Sequence, residues 1–146
     1  MSSKPYKPVW FLFIVILALI AVTAGSKYFG PKEIIPWRTD LSAARAEAAS
    51  GNKPILAYFT ATWCAPCEGM KRTTWADRDV EQALRAYVPV KIDIDQQRDI
   101  AVEFAHYAQT DGVPFYVILG ADGQPNRSAE GAMDSQTFMR WLKAGR

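Results

Sequence analysis

Cysteine and histidine are scarce in this chain, with two of the first and one of the second among 146 residues. Cys64 and Cys67 lie three positions apart and no third cysteine exists, so no long-range bridge can staple the fold and any disulfide is local. Structural zinc commonly takes four ligands from two Cys or Cys/His pairs, and beyond these cysteines the chain offers only His106. No metal is expected, and no cofactor beyond a redox-active Cys64–Cys67 disulfide. His106 reads as half of a surface ion pair with Glu103, three positions earlier. Charge of one sign is lacking as well: 17 Lys and Arg against 15 Asp and Glu give no basic stripe, which sets nucleic acid aside as a partner. No internal repeat or low-complexity tract interrupts a chain that is 49% apolar, enough for one core of roughly 100 to 120 residues plus a short appendage.

That appendage is N-terminal. After a tail at 1–8 holding Lys4 and Lys7, residues 9–26 carry no charge. The run reaches about the 18 residues that can span a thin bilayer and exceeds the roughly 7 to 15 of a signal-peptide core. Its length and Trp10 favour a retained transmembrane anchor, while the small residues Val22 and Ala24 leave a cleaved export signal as the alternative. Lys27, Lys32 and Arg38 follow the run, so the charge rule is nearly mute on orientation; the N-terminal position of the segment points the remainder outward. Residues 27–38, with Pro31 and Pro36, read as an extended linker, and 39–146 as the folded domain.

Within that domain the alanine-rich stretch 40–50 predicts a helix stopped at Gly51-Asn52, and the apolar run 55–60 a buried strand. One interrupted helix or two follow from Ala65 to Tyr87, with Asp77 and Asp79 as candidate caps. The alternation of 89–95 predicts a strand, and Ile100, Phe104 and Tyr107 a helix. A strand at 114–119, a turn at 120–123, a hairpin partner up to Gly131 and a helix at 134–143 complete the series. The expected class is α/β, with a sheet covered by helices on both faces.

The chemistry concentrates in Trp63-Cys64-Ala65-Pro66-Cys67, which follows a strand and opens a helix. Unpaired N–H groups and the positive end of the helix dipole favour a thiolate there, and can bring a cysteine pKa from about 8.5 down to roughly 3.5 to 7.5. Cys64 is the candidate nucleophile. Cys67, about one turn on, is near enough to bond it and would resolve a mixed disulfide. A zinc half-site and two inert buried cysteines are the competing readings; the first lacks ligands, and the second leaves the strand-to-helix junction without a purpose.

These residues resemble the thioredoxin superfamily over Asp40 to Arg146, including Gly112-Val113-Pro114-Phe115, which looks like the family's cis-proline loop. The stretch from Trp63 to Val80, with Val88-Pro-Val-Lys-Ile-Asp-Ile-Asp, more specifically resembles the C-terminal domain of the DsbD disulfide reductases and related exported proteins. The resemblance implies a thioredoxin-like central mixed sheet, and Val113 and Pro114 as substrate-binding residues, with Trp63 and Pro66 supporting the active site. Two departures stand out. Tyr58 occupies the place of the family's buried aspartate, and Arg72 that of a helix proline; Glu68, where lysine is common, is a candidate general base or an ordinary solvated helix residue.

The function implied is protein-disulfide reduction outside the cytoplasm, from a single-pass anchor in the inner membrane with the domain facing the periplasm or cell exterior. Partners would be disulfide-containing exported proteins or cytochrome-maturation apoproteins, and a membrane electron carrier that renews the dithiol. A disulfide oxidase or isomerase remains open, since spacing does not set the potential. So does a non-catalytic module binding unfolded or cysteine-bearing chains.

Overall fold

The computed structural model describes residues 9–28 and 32–144, in two compact units, Met1–Gly30 and Pro31–Arg146. The expected tail at 1–8 lies outside the described residues. In the first unit α1 runs from Val9 to Tyr28, with apolar residues around its whole circumference. Its described side chains, Trp10 to Val22, are all exposed. That stretch rises about 20 Å, against the roughly 30 Å of a hydrocarbon core. Among the described residues no helix is long and apolar enough to cross a membrane.

The second unit is built on a mixed sheet. Strands β1 (Ile55–Thr60), β2 (Val88–Asp93), β3 (Phe115–Leu119) and β4 (Pro125–Glu130) lie in the order β2-β1-β3-β4. β1 runs parallel to β2 and antiparallel to β3, and β4 closes a hairpin with β3. β1 is buried along its whole length because both faces are covered, so its sequence is a continuous apolar run instead of an alternating one. Ile55, Ala57 and Phe59 point with Val88, Val90 and Ile92 toward α2 (Leu41–Gly51) and α5 (Arg98–Ala108). Leu56 and Tyr58 point the other way, with Tyr116 and Ile118, toward α3 (Ala65–Arg72), α4 (Arg78–Leu84) and α6 (Ser135–Lys143). Pro125, which has no N–H to give a ladder, opens the edge strand β4.

The helix ends follow local chemistry. Asp40 caps α2 by accepting from the Ser42 and Ala43 amides. The stop is Asn52, in the left-handed region at φ 47°, and not the preceding glycine, which stays helical. The stretch after the cysteines divides into α3, a single 3-10 turn at Thr74–Ala76, and α4. Asp77 caps α4, and the Ser135 hydroxyl beside it, more than the Val80 and Asp79 amides, holds its carboxyl below the usual range. Asp79 sits inside the first turn of α4. Glu103 and His106 are exposed on α5, but among the described residues no ion pair joins them.

Residues 33–38, expected as the end of a linker, lie against the domain. The Ile34 amide donates to Trp75 O at 2.8 Å, the Arg38 amide to Pro89 O at 2.9 Å, and the Lys91 amide to Arg38 O at 2.8 Å. Ile35 is buried, and the Trp37 ring meets Trp75 edge-on at 5.1 Å and Tyr58 at 5.4 Å. Pro36 disfavours a helix here, while Ile34, Ile35 and Trp37 can cover the open edge of β2 and the end of a core.

Candidate active site

β1 ends at Thr60 and the chain turns through Ala61 to Trp63 into α3, whose N-cap is Cys64. The cap backbone is extended, and the Cys64 Sγ accepts from the Cys67 amide at 3.2 Å. Sulfur thus takes the role that an oxygen plays at most helix starts, and a thiolate there would accept that bond more strongly. Pro66 lies in the first turn, where a missing N–H costs nothing. Cys64 and Cys67 form a disulfide, with Cα atoms 5.3 Å apart. Cys64 retains 3% of its surface and Cys67 none, so both are buried and what little surface the pair has belongs to Cys64.

Facing the pair is the loop before β3. The Val113–Pro114 peptide is cis, as the family resemblance implies, and Val113 O lies 3.6 Å from Cys64 Sγ. Trp63 is 64% exposed beside the disulfide, and its Nε1 donates to Asp95 Oδ2 at 2.8 Å. Asp95, which follows β2, therefore holds the exposed indole across 32 positions of chain. A groove of about 250 Å³ runs from Val113 and Phe115 to Ile94, Ala101 and the exposed Val102.

Glu68 is bound by Lys71 three positions along α3, and that bond is the main reason the Lys71 ammonium holds its proton more tightly than usual. Its carboxylate is half exposed and turned to a partner on the helix surface. α3 ends at Arg72 and breaks at Thr73, so the chain changes direction without the proline kink. Tyr58 is fully buried on the face carrying Cys67. Its ring stacks on Tyr116 at 5.6 Å and meets Trp75 at 4.9 Å. Burial pushes its phenol up from 10.0, partly offset by nearby Thr60 and Trp75, yet none of these three polar groups makes a well-formed hydrogen bond. The Tyr116 hydroxyl, also pushed up by burial, donates to Gly131 O at 3.0 Å and so ties β3 to the end of β4. Tyr116, Trp37, Glu33 and Lys91 were not singled out in the sequence, where only the pairing of strands could have brought them together.

The sequence pattern of the Thioredoxin-like family matches residues 36–121. Thioredoxin of Mycobacterium bovis is 36% identical over 104 residues, covering 71% of this chain and 83% of that protein. The thiol:disulfide interchange protein DsbD of Salmonella paratyphi A is 31% identical over 105 residues, 70% of this chain but 18% of the relative. The chain thus matches less than a fifth of the length of its DsbD relatives. Among solved structures, the oxidised C-terminal domain of Neisseria meningitidis DsbD superposes with a TM-score of 0.60 at 22% identity, covering 75% of this chain and 99% of that domain. The chain belongs to the Thioredoxin-like family, is similar in sequence to DsbD over 105 residues, and shares the fold of the C-terminal domain of DsbD.

Proposed function

We propose that this protein reduces disulfides of exported proteins, with Cys64 as the attacking thiolate and Cys67 as the resolving thiol. The observation that carries the reading is the asymmetry of the pair: Cys64 caps α3, holds what little surface the pair has and faces the cis-proline loop, whereas Cys67 is fully buried. In the first step the Cys64 thiolate bonds one sulfur of the target disulfide, and the other target sulfur leaves with the bonding electrons and takes a proton. Cys67 then bonds the Cys64 sulfur and releases the second target sulfur. Two electrons have moved to the target, and the protein is left as the disulfide. The groove beside Val113 suits an apolar side chain next to the target cysteine, with Val113 and Pro114 positioning its backbone. Trp63 and Pro66 shape the entrance. No group besides the cysteine pair is needed as a cofactor.

The same reading places α1 in the inner membrane as a retained anchor, with the domain in the periplasm or at the cell exterior. The uncharged run 9–26 supports this, since about 18 such residues can span a thin bilayer. Targets there include envelope proteins with disulfides and cytochrome-maturation apoproteins, and a membrane electron carrier would renew the dithiol, because oxidising compartments maintain no thioredoxin reductase.

The test uses the full chain and a synthetic peptide with one intramolecular disulfide. Cys67→Ala is expected to accumulate a mixed disulfide with the peptide that thiol reagents reverse, because attack proceeds and resolution cannot. Equal retention of the peptide by the Cys64→Ala, Cys67→Ala double variant would instead establish a binding module in which the cysteines are incidental.

A further inference from the structure

With Lys4, Lys7 and Lys27 ahead of it, the folded unit holds one cation fewer than its 15 acids, yet its cations are unevenly spread. Some that are far apart in sequence gather on one side. A notch of about 770 Å³ is lined by Lys32, Ile34, Arg78, Glu81 and Arg85, and a smaller one that shares Glu81 and Arg85 adds Arg38, Glu47 and Lys53. Arg78, Glu81 and Arg85 recur at helical spacing along α4 and its C-cap, and the Lys53 ammonium donates to Arg85 O at 3.2 Å. The two acids in this lining are occupied, Glu47 by Arg38 and Glu81 by Arg85. Of the acids nearby in sequence, Glu33 turns to Lys91 at 2.6 Å, Asp77 caps α4, and Asp79 is exposed on α4 without lining either notch. Lys32, Lys53 and Arg78 have no acidic partner among the described residues.

We propose that this basic face is a docking surface for the headgroups of anionic phospholipids in the bilayer that holds α1. The inference goes beyond the redox reading and rests on the anchor reading above. Charge complementarity carries it: each cation brought near an anionic lipid surface strengthens the attraction about fivefold. The remainder of the domain, left with an excess of acids, is repelled by the same surface, which selects the side that turns toward lipid. Lys32 follows the end of α1 by four residues of chain, at most about 14 Å, so a bilayer holding α1 is within reach of this face. Ile34, 42% exposed in the same notch, offers the headgroup layer an apolar contact. Lys53 precedes β1 and Cys64 follows it, so the two lie at opposite ends of a strand about 20 Å long. Docking therefore aims Cys64 away from lipid and toward soluble targets. Renewal at a membrane carrier takes the released domain, which charge contacts of this strength allow.

The experiment reconstitutes the full chain into vesicles of phosphatidylcholine, alone or mixed with phosphatidylglycerol, treats them with phenylglyoxal and reads the modification of each arginine by mass spectrometry. Arg78 and Arg85 are expected to react about fivefold more slowly in the anionic vesicles than in the neutral ones. Arg98 and Arg140, which line neither notch, should react alike in both. Salt at about 1 M, where the Debye length is about 3 Å, should abolish the difference. The variant Lys32→Gln, Lys53→Gln, Arg78→Gln should lose the protection of Arg85 while keeping the parent melting temperature. Equal modification of Arg78 and Arg85 in the two kinds of vesicle would overturn the proposal. So would protection produced in neutral vesicles by inorganic phosphate, which would assign a pocket for free anions and not a membrane surface. The anchor is read separately, by flotation of the vesicles at the same high salt. A chain that no longer floats there would strike the anchor reading, while the arginine comparison at low salt would still decide the face.

Discussion

Cys64→Ser is expected to abolish disulfide reduction, with a fall in rate of at least about three orders of magnitude, to the level of exchange without protein. A serine hydroxyl at the cap of α3 would keep the helix, since serine is itself a favoured cap, so the loss would be chemical and not structural. Cys67 cannot substitute, because it has no exposed surface from which to meet a target sulfur. The far-ultraviolet spectrum and melting temperature of the reduced variant should match those of the reduced parent. Retention of the parent rate by the folded variant would exclude Cys64 as the nucleophile.

Trp75→Ala is expected to be among the most destabilising single changes in the domain, costing about 3 to 5 kcal/mol. The ring is fully buried and meets Trp37, Tyr58, Tyr116 and Phe138, so its removal opens a cavity among four aromatic neighbours. These neighbours come from the docked segment, β1, β3 and α6, whose ends cannot collapse together without moving the sheet. The indole N–H makes no hydrogen bond, so no polar interaction is lost with it. Trp75→Phe, which keeps most of the ring and removes that unpaired donor, should cost much less. Thermal unfolding of the 31–146 unit, at constant pH and redox state, would show a fall of roughly 10 °C or more for the alanine variant. A fall of only a few degrees would mean that the aromatic cluster is not the centre of the core.

Much of the fold is legible from local pattern because the responsible forces are local. β1 announces itself as five apolar residues and a threonine between turn signals, and α2 begins at an aspartate that does cap it. The dithiol is legible for the same reason: strand, turn and helix start all lie within a dozen residues of Cys64. The cis bond before Pro114 was read from the family resemblance, and local sequence supplied only the proline. What local pattern could not reveal depends on register. Lys91 meets Tyr58 because β2 pairs with β1 at that step and no other, and Asp95 meets Trp63 because β2 ends beside the turn that carries the cysteines. The docked segment was hidden for a different reason. Extended chain with prolines has the same composition whether it crosses solvent or lies along a sheet edge, and Trp37 and Ile35 show which only once a core with an open end exists. Tyr58 is legible as a departure, but its surroundings are not, because a carboxylate whose charge reaches it, Glu33, lies 25 positions earlier in the chain.

The measurement that tests the central claim most directly is the reduction potential of the Cys64–Cys67 couple, taken in thiol redox buffers and followed by fluorescence of the adjacent Trp63. The account predicts a reversible couple at or below about −230 mV, the range of proteins that donate electrons. A value between about −180 and −120 mV would contradict reduction and assign the protein to oxidation or isomerisation, and the absence of any reversible couple would contradict thiol–disulfide exchange altogether.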